Sequence, residues 1–197
     1  MTALRRAAIR LFSERGFDAT STADIARAAG VTQRTFFNHF PTKESVVLLP
    51  ADVLTTIAAG ALRGRPLGED VPTSLAAASM ELSRSLASLV DTDDGEQRVL
   101  VLATVRLMFE EPAVRRVFLE RRAVIEDLVW EILVERGASP EDLAARSAVA
   151  TVVALNYLAL RIWAEGGGVE PLPAVHLRCL LSAPDPARFA AAITADG

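Results

Sequence analysis

Cysteine is almost absent from this sequence, and its scarcity excludes one way of stabilising a fold. Cys179 is the only cysteine among 197 residues. An intrachain disulfide is therefore impossible, and a reducing compartment is the natural one, so we expect a cytoplasmic protein. Because Cys179 lies within the apolar run HLRCLL, we expect it to be a small buried residue rather than a redox centre.

The residues that usually carry catalysis are also scarce and scattered. The two histidines, His39 and His176, belong to different regions of the chain. No nucleophile-elbow, zinc-protease, P-loop or dinucleotide-binding motif occurs. The acidic pair Asp93–Asp94 lies in a polar stretch, where we expect it to be solvated rather than to bind a metal. We therefore expect no enzymatic activity, no metal site and no cofactor.

Long uncharged apolar runs are missing too. Three arginines, Arg5, Arg6 and Arg10, interrupt the N-terminal segment, which therefore lacks the apolar region of a signal peptide. No stretch reaches the roughly eighteen uncharged apolar residues that indicate a membrane-spanning helix. We expect neither a membrane span nor a membrane partner.

What the sequence has in quantity is apolar and helix-forming residues. Hydrophobic residues make up 51% of the chain and charged residues 23%, with 6% aromatic, which is typical of a globular helical protein. No run of alternating β-branched residues indicates a sheet. We therefore predict an all-α fold.

The charges divide the chain into two parts. Residues 1–47 carry seven basic and four acidic side chains, whereas residues 48–197 carry fourteen basic and twenty-one acidic ones. A basic head joined to an acidic body is the pattern expected when nucleic-acid contacts are confined to the N-terminus. Ordinary scatter of surface charge would explain the same numbers. A sequence motif is therefore needed to decide whether the N-terminal part binds nucleic acid.

The stretch 21–43 predicts two short helices joined by a tight turn. Ser21 and Asp24 have the spacing of a capping box at a helix start. Gly30 can adopt the left-handed conformation that commonly ends a helix. Thr32 is then placed to cap a second helix.

The second of these helices has one apolar and one polar face. Phe36 and Phe40 fall on one side as anchors for a small core, with Arg34 and Asn38 opposite. Amide, guanidinium and hydroxyl groups on the polar side are able to read base edges in a major groove. Two helices with a glycine-containing turn, the second polar on its free face, describe a helix-turn-helix.

The segment 7–47 resembles the N-terminal DNA-binding domain of TetR-family regulators. The resemblance rests on residue types and spacing at Ala8, Leu11, Phe12, Gly16, Phe17, Thr22, Ile25, Ala26, Gly30, Val31, Phe36, Phe40 and Lys43. It implies a three-helix DNA-binding head over residues 1–47 and a helical effector-binding and dimerisation body over residues 48–197.

This resemblance and the polar face together give a set of predicted DNA contacts. Arg34 and Asn38 are predicted to read base edges, with a phosphate as the alternative partner of Arg34. Phosphate contacts at Thr22, Thr42 and Lys43 are implied by the family's matching positions. The complete predicted set is Thr22, Gln33, Arg34, Thr35, Phe37, Asn38, His39, Thr42 and Lys43.

The segment 140–165 predicts a helix that is apolar on every side, since it contains the run AVATVVALNYLALRIW. Such a helix must be buried all round, and in a protein of this size a dimer interface supplies the missing cover. The resemblance implies the same, because TetR-family regulators dimerise through their last two long helices. We predict a homodimer formed by this helix and the one beginning near Leu172, with a monomer core as the alternative. A last helix is predicted at 186–193.

Polar residues within the apolar helices of the body indicate a ligand pocket. Four residues of this kind occur: Arg106, Asn156, Tyr157 and Arg161. Unpaired buried polar groups cost about 1–3 kcal/mol, so they either pair with protein neighbours or face a ligand. The apolar walls of the predicted pocket are Met80, Phe109, Trp130 and Trp163. Such a pocket would take a small-molecule effector that is apolar with one polar or anionic end.

Three features resemble one actinobacterial branch of the family, the mycofactocin-regulator type: the motif variant TFFNHFPTKE, the region around Pro50 and the segment WAEGGG. That resemblance implies an acyl-CoA or a related lipid-like effector. The predicted function is a homodimeric, ligand-responsive repressor that binds a palindromic DNA operator. Two alternatives stay open, namely a small-molecule binding or sequestering protein with a degenerate head, and the same fold acting as an activator.

Overall fold

All regular structure in the part of the chain that can be described is helical. The computed structural model describes residues 3–48, 51–88 and 95–183. In chain order the elements are α1 (Ala3–Arg15), α2 (Thr22–Ala28), α3 (Gln33–His39), a 3₁₀ turn (Glu44–Val46), α4 (Ala51–Arg63), α5 (Val71–Ser88), α6 (Gly95–Glu110), α7 (Pro112–Glu135), α8 (Leu143–Glu165) and α9 (Leu172–Leu181). The predicted all-α class is confirmed. Pro50, Asp93–Asp94 and the helix predicted at 186–193 lie outside the described residues.

The first three helices enclose a small apolar core. α1 packs on α2, and α2 packs on α3. Ile9, Ile25 and Phe36 are fully buried within this core. Ser21 accepts a hydrogen bond from the Asp24 N–H, and Asp24 accepts one from the Ser21 N–H, so the predicted capping box is present at the start of α2. The apolar side of α3 is therefore fixed by burial, which leaves its other side to solvent.

The connection from head to body contains a short helical turn of its own. A 3₁₀ turn covers Glu44–Val46, and the next helix, α4, begins at Ala51. The Ser45 N–H donates to Thr42 Oγ1 at 3.2 Å, and the Ser45 hydroxyl donates to the Thr42 carbonyl at 2.7 Å. These local bonds give the backbone an alternative to a continuous helix.

The helices α4 to α9 form the body. α5 packs on α4, α8 and α9, and α7 packs on α4, α6 and α8. One apolar cluster between them is built on Leu62, Ile132 and Leu133, and a second on Ala159 and Trp163. Because α6 also packs on α1, the body contacts the head directly.

The long apolar helix α8 starts later than predicted and is not covered on every side. Asp142 caps it by accepting from a first-turn backbone N–H at 3.0 Å, so α8 begins at Leu143 rather than Pro140. By length and composition α8 could cross a membrane, yet only 28% of its most apolar window is buried. Leu158 and Ile162 remain 41% and 36% exposed. One face of α8 therefore has no cover from the described part of the chain.

Charged groups hold the corner between α4 and α5. Arg65 pairs with Glu69, its Nε donating to Oε2 at 2.8 Å, and the Ser74 hydroxyl donates to the same oxygen at 2.7 Å. Arg136, which follows α7, donates to the Pro66 carbonyl at 2.8 Å. The hydrogen bonds from Arg65 and Ser74 lower the pKa of Glu69 to about 2. Glu69 therefore favours the folded state as a carboxylate.

Glu69→Gln tests this corner through the pH dependence of stability. The pKa of Glu69 is lowered from 4.5 to about 2 on folding. Its contribution is therefore full above the higher pKa and is lost as the pH falls through the lower one. We expect Glu69→Gln to lower the melting temperature near neutral pH and to flatten its decline in acid, both measured by circular dichroism. The control is Glu110→Gln, at an exposed position of α6; equal effects of the two substitutions would contradict the role given to Glu69.

Candidate DNA-binding surface and effector cavity

The outer surface of α3 carries most of the residues predicted to contact DNA. Arg34, Asn38 and His39 are exposed on this helix. The Phe37 ring is 48% exposed and has no polar group, so it offers only apolar contact. Phe36 is fully buried on the opposite side and anchors the helix to the head. This arrangement presents guanidinium and amide groups on a helix of the kind that fits a major groove.

The start of α3 is tied to α2 by side-chain hydrogen bonds. Gln33 Nε2 donates to Thr22 Oγ1 at 2.8 Å. Thr32 caps α3 by accepting from the Thr35 N–H at 3.1 Å, and the two threonine hydroxyls lie 2.9 Å apart. Two predicted DNA contacts, Gln33 and Thr22, are thereby brought together on one surface, and Thr35 adjoins them.

The remaining two predicted phosphate contacts lie in the connector. Thr42 accepts hydrogen bonds within the 3₁₀ turn. Lys43 Nζ donates to the Phe17 carbonyl at 2.8 Å and lies 4.1 Å from the centre of the Phe17 ring. The Lys43 ammonium therefore braces the corner that follows α1. Because an ammonium has three N–H donors, the group keeps capacity for a phosphate.

The body contains a cavity of about 710 Å³, a volume within the range of small-molecule sites. Apolar side chains make up most of its wall, among them Leu82, Leu86, Val105, Met108, Phe118 and Leu160. The ionisable and amide side chains in the wall are Arg5, Gln97, Arg121, Arg122, Asn156, Tyr157 and His176. No carboxylate is among the described residues that line it.

Three of the eight residues predicted to form a pocket line this cavity, namely Asn156, Tyr157 and Trp163. The structure places the other five elsewhere: Met80, Arg106, Phe109, Trp130 and Arg161. Both of the predicted arginines are exposed, and Arg161 Nε donates to Glu165 at 2.8 Å. A long charged side chain can reach water from the edge of an apolar helix, so its presence there does not indicate a pocket.

The three displaced apolar residues have protein neighbours instead. Trp130 packs under the Arg146 guanidinium, which lies 4.3 Å from the ring centre. Phe109 contacts Tyr157 edge-on, with ring centres 5.0 Å apart, so it lies behind the cavity wall. Met80 is half-buried on α5 and is not among the residues that line the cavity. A helical sequence identifies apolar faces, and it does not say which face encloses empty space.

Arg5 lines the cavity although it belongs to α1 of the head. It is only 7% exposed; its Nε donates to the Val46 carbonyl at 3.0 Å and its Nη2 to the Leu48 carbonyl at 2.5 Å. Burial and the charge of Arg121 lower the pKa of Arg5. The sequence analysis missed this residue, and the available signal was an arginine within the apolar side of α1.

Helix α7 adds two more guanidinium groups to the wall. Burial lowers the pKa of Arg121. The Arg122 guanidinium lies 5.7 Å from the centre of the Tyr157 ring. Neither arginine stood out in the sequence, because α7 carries many charges and only the fold turns these two inward. Three guanidinium groups, with no carboxylate among the described residues of the wall, favour an anionic ligand group.

Asn156 has a partner inside the protein as well as a place in the cavity wall. The Ser79 hydroxyl donates to Asn156 Oδ1 at 2.7 Å and lies 3.0 Å from His176 Nε2. Burial lowers the pKa of His176 and so favours the neutral imidazole. The two interpretations left open for Asn156, protein partner and ligand contact, are therefore compatible.

The head and the cavity-bearing body together define the class of a DNA-binding transcriptional regulator. Residues 4–48 match the family described as bacterial regulatory proteins, tetR family. Over 163 residues the chain is 31% identical to the HTH-type transcriptional regulator TcmR of Streptomyces glaucescens, covering 81% of this chain and 71% of TcmR. The chain belongs to the TetR family, and it is a transcriptional regulator rather than an enzyme.

Two solved structures of repressors are similar over most of the chain. Thermus thermophilus FadR, a TetR-family repressor in complex with lauroyl-CoA, is 27% identical with a TM-score of 0.50, covering 93% of this chain and 96% of FadR. NalD, the secondary repressor of the MexAB-OprM multidrug efflux pump in Pseudomonas aeruginosa, is 25% identical with a TM-score of 0.56, covering 91% and 90%. These two repressors thus share the helical architecture of this chain.

Lys43→Ala should have two separable effects. Loss of the bond to the Phe17 carbonyl and of the contact with its ring should lower the free energy of unfolding by about 1–2 kcal/mol. Loss of a phosphate contact should reduce the slope of log affinity against log salt by about one. Calorimetry and fluorescence anisotropy with operator DNA measure the two effects, with Lys43→Arg as the charge-preserving control. Lowered stability with an unchanged slope would limit Lys43 to bracing the head.

Proposed function

We propose that the protein is a homodimeric repressor that leaves a palindromic operator when an apolar effector with an anionic end binds. One observation carries the proposal: the apolar cavity of the body, about 710 Å³, is lined in part by Arg5 of the head. A ligand there would contact the body and the DNA-binding head at the same time. The proposed effector site and the DNA-binding head that it would regulate are therefore in direct contact through Arg5.

DNA recognition by the head is supported by the side chains exposed on α3. Arg34 is suited to a bidentate contact with guanine and Asn38 to one with adenine, each worth about 1–3 kcal/mol of discrimination. Thr22, Thr42 and Lys43 border this surface and would position the head on phosphates. Gln33, held by Thr22, would read bases at the edge of the same groove.

The proposed effector follows from the lining of the cavity. Its guanidinium groups, from Arg5, Arg121 and Arg122, favour an anion, while most of the remaining wall suits an alkyl chain. The similar repressor Thermus thermophilus FadR is in complex with lauroyl-CoA. We therefore assign the effector to the class of fatty acids and their acyl-CoA thioesters.

Arg5 supplies a route from the ligand to the DNA-binding head. Its guanidinium already donates to the carbonyls of Val46 and Leu48, which lie between head and body. An anionic ligand would compete with these carbonyls for the same N–H groups. The competition would shift α1 relative to the connector, and this difference gives the ligand unequal affinity for the two states.

The dimer would form on the surface of α8 and α9 that the described part of the chain leaves uncovered. We call this surface the α8–α9 face and define it by Leu158 and Ile162 of α8 with Leu177 and Leu181 of α9, which are 36–79% exposed. Burying this face on its symmetry mate would remove the apolar area from water. Two heads would then enter major grooves about 34–36 Å apart, which requires a palindromic operator in cytoplasmic DNA.

Footprinting on the DNA upstream of the protein's own gene tests the function. We expect protection of two half-sites about one helical turn apart. Dodecanoate or lauroyl-CoA should weaken operator binding about tenfold or more, as typical coupling free energies allow. Arg34→Ala should lose discrimination among operator variants, whereas Arg27→Ala, at an exposed arginine paired with Asp24 at 3.1 Å, should retain it.

Each alternative gives a different result in this experiment. Ligand binding without site-specific protection would favour a sequestering protein with a degenerate head. Specific protection combined with ligand-dependent stimulation of transcription would favour an activator. Specific protection that neither dodecanoate nor lauroyl-CoA alters would reject the proposed effector class while leaving the DNA-binding function in place.

Leu158→Arg tests the α8–α9 face. A charge at the centre of an apolar interface should separate the protomers, because burying it would leave the guanidinium unpaired. We expect a monomer by analytical ultracentrifugation and a loss of operator affinity of about a hundredfold, since the second head no longer adds its contacts. Val124→Arg, at a valine that is 59% exposed on α7, is the control. A Leu158→Arg protein that stays dimeric would place the interface elsewhere.

A further inference from the structure

The cavity wall contains a buried hydroxyl group that has no hydrogen-bond partner among the residues that the structure describes. Ser83 lies on α5, lines the cavity and is only 4% exposed. Within the described ranges its Oγ is the buried side-chain polar atom that forms no hydrogen bond. An unsatisfied buried hydroxyl is costly, and native structures seldom keep one without a reason. A ligand atom that accepts from Ser83 would remove this cost.

A neutral hydrogen-bond network lies one helical turn away. Ser79 precedes Ser83 by four residues, so the two side chains share a face of α5. Ser79 has a single hydroxyl proton and donates it to Asn156 Oδ1 at 2.7 Å, so it accepts from His176 Nε2 at 3.0 Å. The amide oxygen of Asn156 thereby accepts a hydrogen bond from the protein. Its amide nitrogen remains available to donate a hydrogen bond to a ligand, since Asn156 lines the cavity.

The groups of the neutral network and the guanidinium groups come from different helices. Ser83 and His176 come from α5 and α9, which pack on each other, and Asn156 comes from the adjoining α8. The three guanidinium groups come from α1 and α7. An anionic group of the effector would therefore bind near the arginines. The side of the cavity that carries Ser83 and Asn156 would then face an uncharged part of the same molecule.

We propose that Ser83 and Asn156 form a subsite that binds an uncharged carbonyl oxygen on the apolar chain of the effector. A ketone oxygen has two lone pairs, which match the one O–H and one N–H donor. A carboxylate at this position would be buried without a counter-charge. This subsite rests on the proposed effector function and refines it, because it would select effectors whose alkyl chain carries a carbonyl oxygen over effectors with an unsubstituted chain.

The test compares dodecanoate with monoketo dodecanoates that carry the carbonyl at successive carbons, using isothermal titration calorimetry on the full chain. In the wild type, at least one keto isomer should bind about five- to tenfold more tightly than dodecanoate. Ser83→Ala should bring that ratio close to one. Ser85→Ala, on the same helix but outside the cavity lining, should preserve the ratio.

The outcomes separate this subsite from the function on which it rests. If dodecanoate binds and releases DNA but no keto isomer binds more tightly, the subsite is overturned and the proposed function stands. If no member of the series binds, the effector class is wrong and the subsite falls with it. Ser83→Ala should also leave the melting temperature of the free protein unchanged or raised. A lowered melting temperature would show that the hydroxyl is structural and would overturn the subsite.

Discussion

Arg5 reaches from α1 into the junction between head and body, where its guanidinium donates to the carbonyls of Val46 and Leu48. A charge buried to this degree is tolerated only where acceptors surround it, and backbone carbonyls supply them here. These bonds fix the angle at which the chain leaves the head, and the contact of α6 with α1 completes the junction. Because the same guanidinium lines the cavity, a molecule bound there would contact the group that holds this junction together.

The cavity distributes its polar groups in a way that restricts how a molecule can lie in it. Guanidinium groups come from α1 and α7, and uncharged polar side chains come from α5, α6, α8 and α9, in a wall that is otherwise apolar. Apolar contact alone discriminates weakly, since it depends on area rather than direction. Directional partners on two sides of the cavity would favour one orientation of the proposed effector. Its anionic end would then lie at the junction with the head, where Arg5 is placed.

The helices of the head could be predicted from the sequence because their signals are local. The lining of the cavity could not be predicted in full, because it depends on how distant helices pack. Ser21, Asp24 and Thr32 act on backbone groups within one helical turn, so their caps could be predicted residue by residue. The predicted start of α8 at residue 140 was wrong because Asp142 supplies the cap and the helix begins at Leu143. In the body, Arg121 turns inward and Arg161 outward through packing between distant helices, and no spacing within one helix encodes that difference.

Gly168 stands in the turn between α8 and α9 with a φ of +66°. A Cβ built on it would approach Trp163 Cζ2 to 2.9 Å, so the indole can occupy its place in the cavity wall only because this position has no side chain. Arg98 of α6 donates to the Gly168 carbonyl and holds the turn against the body. The dimensions of the cavity are thus set partly by a backbone position outside its lining. Substitutions in this turn would change the shape of the cavity during evolution while every residue that lines it stays the same.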